Sequence, residues 1–494
     1  MQKINEKVEK VYGKYPQKVL QIGEGNFLRA FADWMIDEAN ERGDFKGSIL
    51  LCCPIKAGME KVINEQDGLY TLIMRGIEDK KPISKTRQIT SVSKCINPYQ
   101  NFEDFLEAAR NPDIEVVISN TTEAGIAYNE NDKQSDTPPS SFPAKITVLL
   151  YERFKTFKGS LAKGLLFLPV ELIDNNGIYL KKYVLQYARQ WKLGDDFIAW
   201  IEKANKWTNT LVDRIVTGYP KDDIESIKQN LGYEDNLVVT CELFNLWVIE
   251  GKKEWADIFP IHKGKANVLW TEDVKPYKMR KVRILNGAHT ATVPAAFLAG
   301  HNFVLDFIND EVFKNYLNKI LFEEVIPTLD LPKADLESFA NNVFARFSNP
   351  YIKHSLLDIS LNCSSKFNAR CLPTILEYKK RMSKLPKLLT FSFAAFIKFY
   401  LGEMLDGKFT GKRENGETYQ IKDNAEVLEF FESFRNKNLN EIDLVSAVLS
   451  NQSLWDGKDL TEIDGLSDAV ADNLKKIKKD GIKETIKSAV CDGN

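Results

Sequence analysis

Apolar residues in the first half of the chain come in short runs that end in glycine, proline or asparagine. The first, Lys18-Val-Leu-Gln-Ile-Gly23, predicts a buried strand that breaks into a glycine turn. Phe27, Phe31, Trp34, Met35 and Ala39 then recur close to helical spacing, which predicts a helix over 27–42. Ser48-Ile-Leu-Leu-Cys-Cys53, closed by Pro54, predicts a second strand. Strand, helix and strand make a β-α-β unit, whose strands are expected to be parallel and whose crossover right-handed. Runs at Val116-Val-Ile-Ser119 and Leu165-Leu-Phe-Leu168 predict two more strands, each opening into a polar loop, at 120–123 and 171–177. Ligands of open parallel sheets bind beyond the carboxyl ends of the strands, so both loops are site candidates. The stretch 132–143, rich in proline and serine, predicts an exposed loop.

After Pro276 the pattern changes to long helical periods, over 303–326, 336–347, 388–405 and 425–434, and strand signals become rare. The glycine- and charge-rich 401–420 reads as a loop. The segment 465–487 reads as an amphipathic helix with a solvated face. The expected architecture is therefore α/β: a Rossmann-type, doubly wound sheet domain with insertions over 1–275, followed by a mainly α-helical substrate and catalytic domain over 276–494. No internal repeat or low-complexity tract interrupts it.

Composition narrows the classes. The chain has 494 residues, too many for one comfortable core, with 44% hydrophobic and 28% charged residues. A formal net charge of −2 gives no electrostatic reason to expect nucleic acid or an anionic membrane as partner. The first 18 residues are polar, and no apolar run reaches the roughly 18 residues that span a bilayer. Seven scattered cysteines without a CxxC pair suit reduced thiols. A soluble, cytoplasmic protein acting on a small molecule is expected, with monomer or dimer left open.

Two segments carry chemistry. Gly23-Glu-Gly25-Asn-Phe-Leu28 sits between the first strand and the first helix, where glycines let the backbone approach a pyrophosphate. Leu28 occupies the third glycine position of the usual pattern. The end of the second strand, Cys52-Cys53-Pro54-Ile55-Lys56, lacks the acid that holds the ribose hydroxyls of NAD. Lys56 there keeps NADP open beside NAD. The second segment is Lys275-Pro-Tyr-Lys278-Met-Arg-Lys281-Val-Arg-Ile-Leu-Asn286-Gly-Ala-His289. On a uniform helix Asn286 lies about 140° and His289 about 80° from Lys281, so all three can face one wide cleft. Cationic and apolar neighbours would lower the pKa of Lys281, fitting it to pass a proton to a carbonyl oxygen. Asn286 can donate to that oxygen and His289 can orient it. The alternative is a basic helix with a core-facing asparagine. None of the four histidines has metal-site spacing, so no metal is expected.

Gly23-x-Gly25-x-Phe27-x-Arg29-Ala30, Thr122-Glu123, Val212-Asp213-Arg214 and Lys281-x4-Asn286-x2-His289 together resemble the mannitol dehydrogenase family of polyol-specific long-chain dehydrogenases. Longer strings, such as Asn120-Thr-Thr-Glu-Ala-Gly-Ile126 and Asn349-Pro-Tyr-Ile-Lys-His354, place the likeness in its sugar-acid branch, over about 16–480. The resemblance implies reversible NAD-dependent interconversion of D-altronate and D-tagaturonate in hexuronate breakdown. A fructuronate/mannonate or polyol dehydrogenase is the alternative. It implies Lys281 as general acid–base, Asn286 polarising the substrate oxygen, His289 on the substrate, and Glu123 beside the cofactor and a proton path. It also implies Ile22, Gly23, Gly25, Asn26, Phe27, Leu28, Arg29, Asn120 and Asp213 around the cofactor, and Lys366 at the far end of the substrate. Leu172 stands where polyol members place an oxyanion-pocket asparagine, and Asp358 where they place a substrate arginine. A sugar acid needs a cation for its carboxylate. Of Lys366, His354, Lys353 and Arg346, the expectation rests on Lys366 and His354.

Overall fold

The computed structural model describes residues 1–122, 124–435 and 437–491; Glu123, an expected catalytic residue, lies outside the described residues. The chain divides into two compact units, one of residues 1–76 and 83–274, the other of residues 77–82 and 275–494.

The first unit is built on a six-stranded sheet of β1 (Gln17–Ile22), β2 (Ser48–Cys52), β3 (Val92–Ile96), β4 (Val116–Ser119), β5 (Leu166–Pro169) and β6 (Lys206–Trp207). Its order is β3-β2-β1-β4-β5-β6, and all neighbouring strands are parallel. This is the doubly wound order in which the sequence of strand addition reverses between β1 and β4, opening a crevice at their carboxyl ends. Alternation along the strands feeds two cores: Val19, Ile49, Leu51 and Val116 pack into one, and Leu20, Leu50 and Val117 into the other. The helix expected over 27–42 is broken into α1 (Asn26–Arg29) and α2 (Ala32–Glu41), because Phe31 leaves helical geometry. The carbonyls freed at the break are taken by the Tyr70 hydroxyl, which donates to Arg29 O at 2.8 Å, and by Arg214 Nη1, which donates to Ala30 O at 2.7 Å. The loop over 132–141 is anchored, not merely exposed: buried Asp132 accepts from Ser140 and Ser141 and fixes the start of α3 (Phe142–Thr156).

Two further sheets escaped the hydrophobic pattern. One holds Tyr70–Glu78 and Lys81–Ile89 with Val216–Gly218 and Val239–Glu242; the other holds Asn209–Asp213, Leu246–Glu250 and Val268–Thr271. Lys81–Ile89 buries only its last residue, so it offers no apolar run to read.

In the second unit, α4 (Lys275–Arg280) leads into a π-helical turn, Lys281–Asn286, and then α5 (Gly287–Leu298). α6 (Lys333–Phe347), α7 (Cys363–Arg370) and α8 (Lys387–Tyr400) follow. α8 is buried on nearly every side and forms the unit's spine. It stops before Leu401, and 401–420 is not a loop. Gly402–Leu405, Lys408–Lys412 and Thr418–Gln420 form an antiparallel sheet. Asp406 and Gly407 both have positive φ, the geometry of a tight hairpin turn. The segment 465–487 is likewise more than a solvated face: α9 (Leu466–Asp480) buries Leu466, Val470, Leu474 and Ile477 and packs on α8. It ends at Gly481, φ 81°, before the helix Ile482–Cys491. No helix of the described residues is long and apolar enough to cross a membrane.

Candidate active site

In the first unit the two glycines of the turn do different work. Gly23 has φ +121°, and a Cβ there would lie 2.8 Å from Asn120 O and 3.2 Å from Leu28 Cδ1. Glycine is therefore required where the turns after β1 and β4 touch. Gly25 precedes α1 with extended backbone, and a Cβ on it would meet nothing within 4 Å. Its outer face is open, which leaves room for a phosphate to approach the backbone. Leu28 and Ile22 are buried core residues, and Phe27 stacks on Phe31 at 5.0 Å between ring centroids.

Arg29 points inward. Its guanidinium donates to Leu237 O at 2.6 Å, Glu24 O at 3.1 Å and Asn26 Oδ1 at 2.7 Å, so it shapes the turn from beneath. Arg214 does the same from the other side, over the Trp34 ring and against Glu242 O. At the strand ends a cavity of about 580 Å³ opens between Phe27, Asn120, Thr122, Val170, Leu172 and Val212. Its lining is largely apolar, as suits a flat ring, and buried Asp213 follows Val212 at the end of its strand. Glu171 is buried behind this rim. Its carboxylate accepts from Ser119 Oγ at 3.1 Å, and from Thr121 N at 3.1 Å and Thr121 Oγ1 at 3.0 Å. Burial raises its pKa despite those bonds. At the end of β2 Lys56 is exposed, while the buried Glu24 carboxylate turns to the same loop and accepts Met59 N–H at 3.1 Å.

In the second unit the lysine segment is not a uniform helix. Lys281 opens the π turn and Asn286 closes it, both half-buried. With i→i+5 bonding, about 4.4 residues complete a turn, so Asn286 returns to within roughly 50° of Lys281 instead of about 140°. The widened turn sets the two side chains nearly one above the other. His289, one turn on, is buried, and its ring lies 4.2 Å from Phe347 and 5.2 Å from His354.

Burial first, then His354, Arg346 and Arg370, drive the pKa of His289 well below the ordinary imidazole value, so the ring is neutral. It bonds to the Leu285 carbonyl, and Nε2 is left buried without a protein partner. By elimination Nδ1 carries the proton, and Nε2 is an acceptor aimed at something the protein does not supply. Burial also lowers the pKa of His354, and that of Lys366, where Arg370 adds to the effect. Lys366 Nζ donates to Ile359 O at 2.9 Å.

Arg370, one turn beyond Lys366 on α7, donates to Thr290 Oγ1 at 3.2 Å from Nη1; in the sequence it is one cation among many. Its +4 spacing from Lys366 was the available signal. A separate open cavity of about 820 Å³ beside Phe303 and Thr418 holds none of these residues. Arg413 in its wall is committed to Phe297 O, His301 O, Asn302 and Glu417. Among the described residues no group of three His, Cys, Asp or Glu could hold a metal ion.

Residues 17–263 match the mannitol dehydrogenase Rossmann domain, and residues 273–478 the mannitol dehydrogenase C-terminal domain. The chain belongs to the mannitol dehydrogenase family. Within this dehydrogenase family it is 46% identical over 479 residues to altronate oxidoreductases of Escherichia coli strains 536 and O1:K1, covering 96% of this chain and 97% of theirs. Its fold is shared with D-sorbitol dehydrogenase in substrate-free form, at a TM-score of 0.79 and 21% identity over 96% of both chains. It is also shared with Pseudomonas fluorescens mannitol 2-dehydrogenase in a ternary complex with NAD and D-mannitol, at 0.66 and 23% identity over 97% of this chain and 95% of that one.

Proposed function

We propose that this member of the mannitol dehydrogenase family is an NAD-dependent altronate oxidoreductase, interconverting D-altronate and D-tagaturonate. The carrying observation is the match to altronate oxidoreductases along 96% of the chain. The π-widened helix that stacks Lys281 and Asn286 and leaves His289 Nε2 unpartnered supports the chemistry.

The glycine turn, open above Gly25, and the apolar cavity between Phe27 and Val212 suit a dinucleotide, with the pyrophosphate over 23–28 and the ring beside Asn120. Glu24 places a carboxylate at the loop after β2, which favours ribose hydroxyls over a 2′-phosphate and so NAD over NADP. When bound, NADH supplies the hydride that reaches the ketone carbon. Lys281, as ammonium, gives its proton to the ketone oxygen while the Asn286 amide donates a hydrogen bond to it. His289 Nε2 accepts from a neighbouring substrate hydroxyl. In the oxidative direction Lys281 must start neutral to take the hydroxyl proton, so altronate oxidation rises with pH.

The test is NADH and NADPH oxidation against tagaturonate, fructuronate and fructose. Tagaturonate with NADH should be fastest; preference for either other ketone, or for NADPH, overturns the assignment. Lys281→Ala should fold, bind NADH and lose turnover by orders of magnitude. Near-normal turnover in it removes Lys281 as the acid–base.

A further inference from the structure

A ketone that also bears a carboxylate asks something of the second unit that a neutral polyol does not: a cation held without a protein counter-anion. Lys366 and Arg370 stand four residues apart on α7, and the Arg370 charge makes Lys366 less ready to be charged. Arg370 is half-buried, and the only acceptor it meets among the described residues is Thr290 Oγ1, at 3.2 Å from Nη1. No carboxylate among them pairs with it. Burial is the leading cause that depresses its pKa, offset only by the Cys371 and Cys363 thiols.

Its place is fixed by the same helix that carries the reacting groups. Thr290 Oγ1 donates to Asn286 O at 3.0 Å while accepting from Arg370, so the guanidinium is tied through one hydroxyl to the backbone of Asn286. The Arg370 carbonyl lies 3.8 Å from where a Cβ on Gly287 would sit, between Asn286 and His289. The unpartnered His289 Nε2, fully enclosed, is a second and independent sign that a polar ligand belongs here.

The geometry points to Arg370 as the residue that takes the substrate's carboxylate and so selects sugar acids over neutral sugars. This inference rests on the reading of the chain as an altronate oxidoreductase. A half-buried guanidinium that pairs with no carboxylate, one turn from a second cation, is costly alone; a substrate carboxylate offsets the repulsion and uses the guanidinium's free N–H donors. Thr290 orients the guanidinium, and Lys366 contributes the second charge.

The experiment compares kcat/KM for tagaturonate and for its neutral methyl ester, in wild type and in Arg370→Gln, with NADH affinity read by fluorescence. Wild type should favour the acid. Arg370→Gln should cut that preference about 30- to 1,000-fold, chiefly through KM, with NADH affinity unchanged. A wild type indifferent to the ester, or a variant that keeps its preference, overturns the role of Arg370. No turnover of tagaturonate by wild type would instead overturn the altronate reading. If Arg370→Gln loses NADH binding, Arg370→Lys carries the test: charge without the fork should retain a reduced preference, and a preference equal to wild type overturns the proposal.

Discussion

At the residue scale, the enclosed imidazole of His289 is the most constrained group in the second unit. Its neutrality follows from burial and from the neighbouring His354, Arg346 and Arg370, and its tautomer from the Leu285 carbonyl. A neutral ring with a bare Nε2 can accept a hydrogen bond and cannot serve as an acid, which fits the proposed contact with a substrate hydroxyl. Replacement by phenylalanine keeps the stack on Phe347 and removes the acceptor. His289→Phe should therefore lower kcat/KM by roughly ten- to a hundredfold, about 1–3 kcal/mol, with thermal stability nearly unchanged. Wild-type kinetics in that variant would place the substrate elsewhere. The role of Arg29 is of another kind. The motif suggested a cofactor contact, but its three bonds to Leu237, Glu24 and Asn26 make it a brace for the turn. A sequence motif records that a residue type is needed, without saying whether it faces the ligand or the core.

At the element scale, the π turn over Lys281–Asn286 does what a regular helix would not, bringing an i, i+5 pair onto one face. Deleting Val282 should return the segment to α-helical register and swing Lys281 away from Asn286. NADH binding, proposed at the glycine turn, should survive, and turnover should fall about a hundredfold or more. Retained turnover would mean that the pair does not act together. Nothing in residues 275–289 announces the π turn, since the same residues fit an α-helical period, and this is why the uniform-helix angles misled. β1, β2, β4 and β5 were legible because parallel strands buried on both faces must be apolar runs. Strands with one solvated face, such as Lys81–Ile89, were not. The hairpin after α8 was readable in principle from Asp406-Gly407, but the charged residues around it argued for a loop. Of the proposed site, Lys281, Asn286 and His289 could be named from spacing and likeness, whereas the proposal for Arg370 needed the fold to bring Thr290 against it.

At the scale of the whole molecule, each unit buries a carboxylate that its surroundings hold partly protonated near neutrality. In the first, burial pushes Asp33 up to about 7 beside the Tyr70 hydroxyl; in the second, burial pushes Glu324 up to about 7, although it accepts Leu388 and Leu389 N–H at the start of α8. For both, the folded state binds a proton more tightly than the unfolded chain, whose Glu titrates near 4.5 and whose Asp titrates near 3.8. The stabilisation from holding that proton is complete below the unfolded value and is lost as pH climbs to about 7. For Glu324 the loss amounts to about 3 kcal/mol at most, since part of the charge is offset by the helix it caps. Glu324→Gln keeps an acceptor for α8 but has no proton to lose. The thermal midpoint of wild type should fall by several degrees between pH 4.5 and 7 relative to that of Glu324→Gln, followed by the unfolding of the second unit at matched ionic strength. Parallel pH profiles for the two proteins would show that Glu324 is ionised throughout, held by the helix start more firmly than burial opposes it.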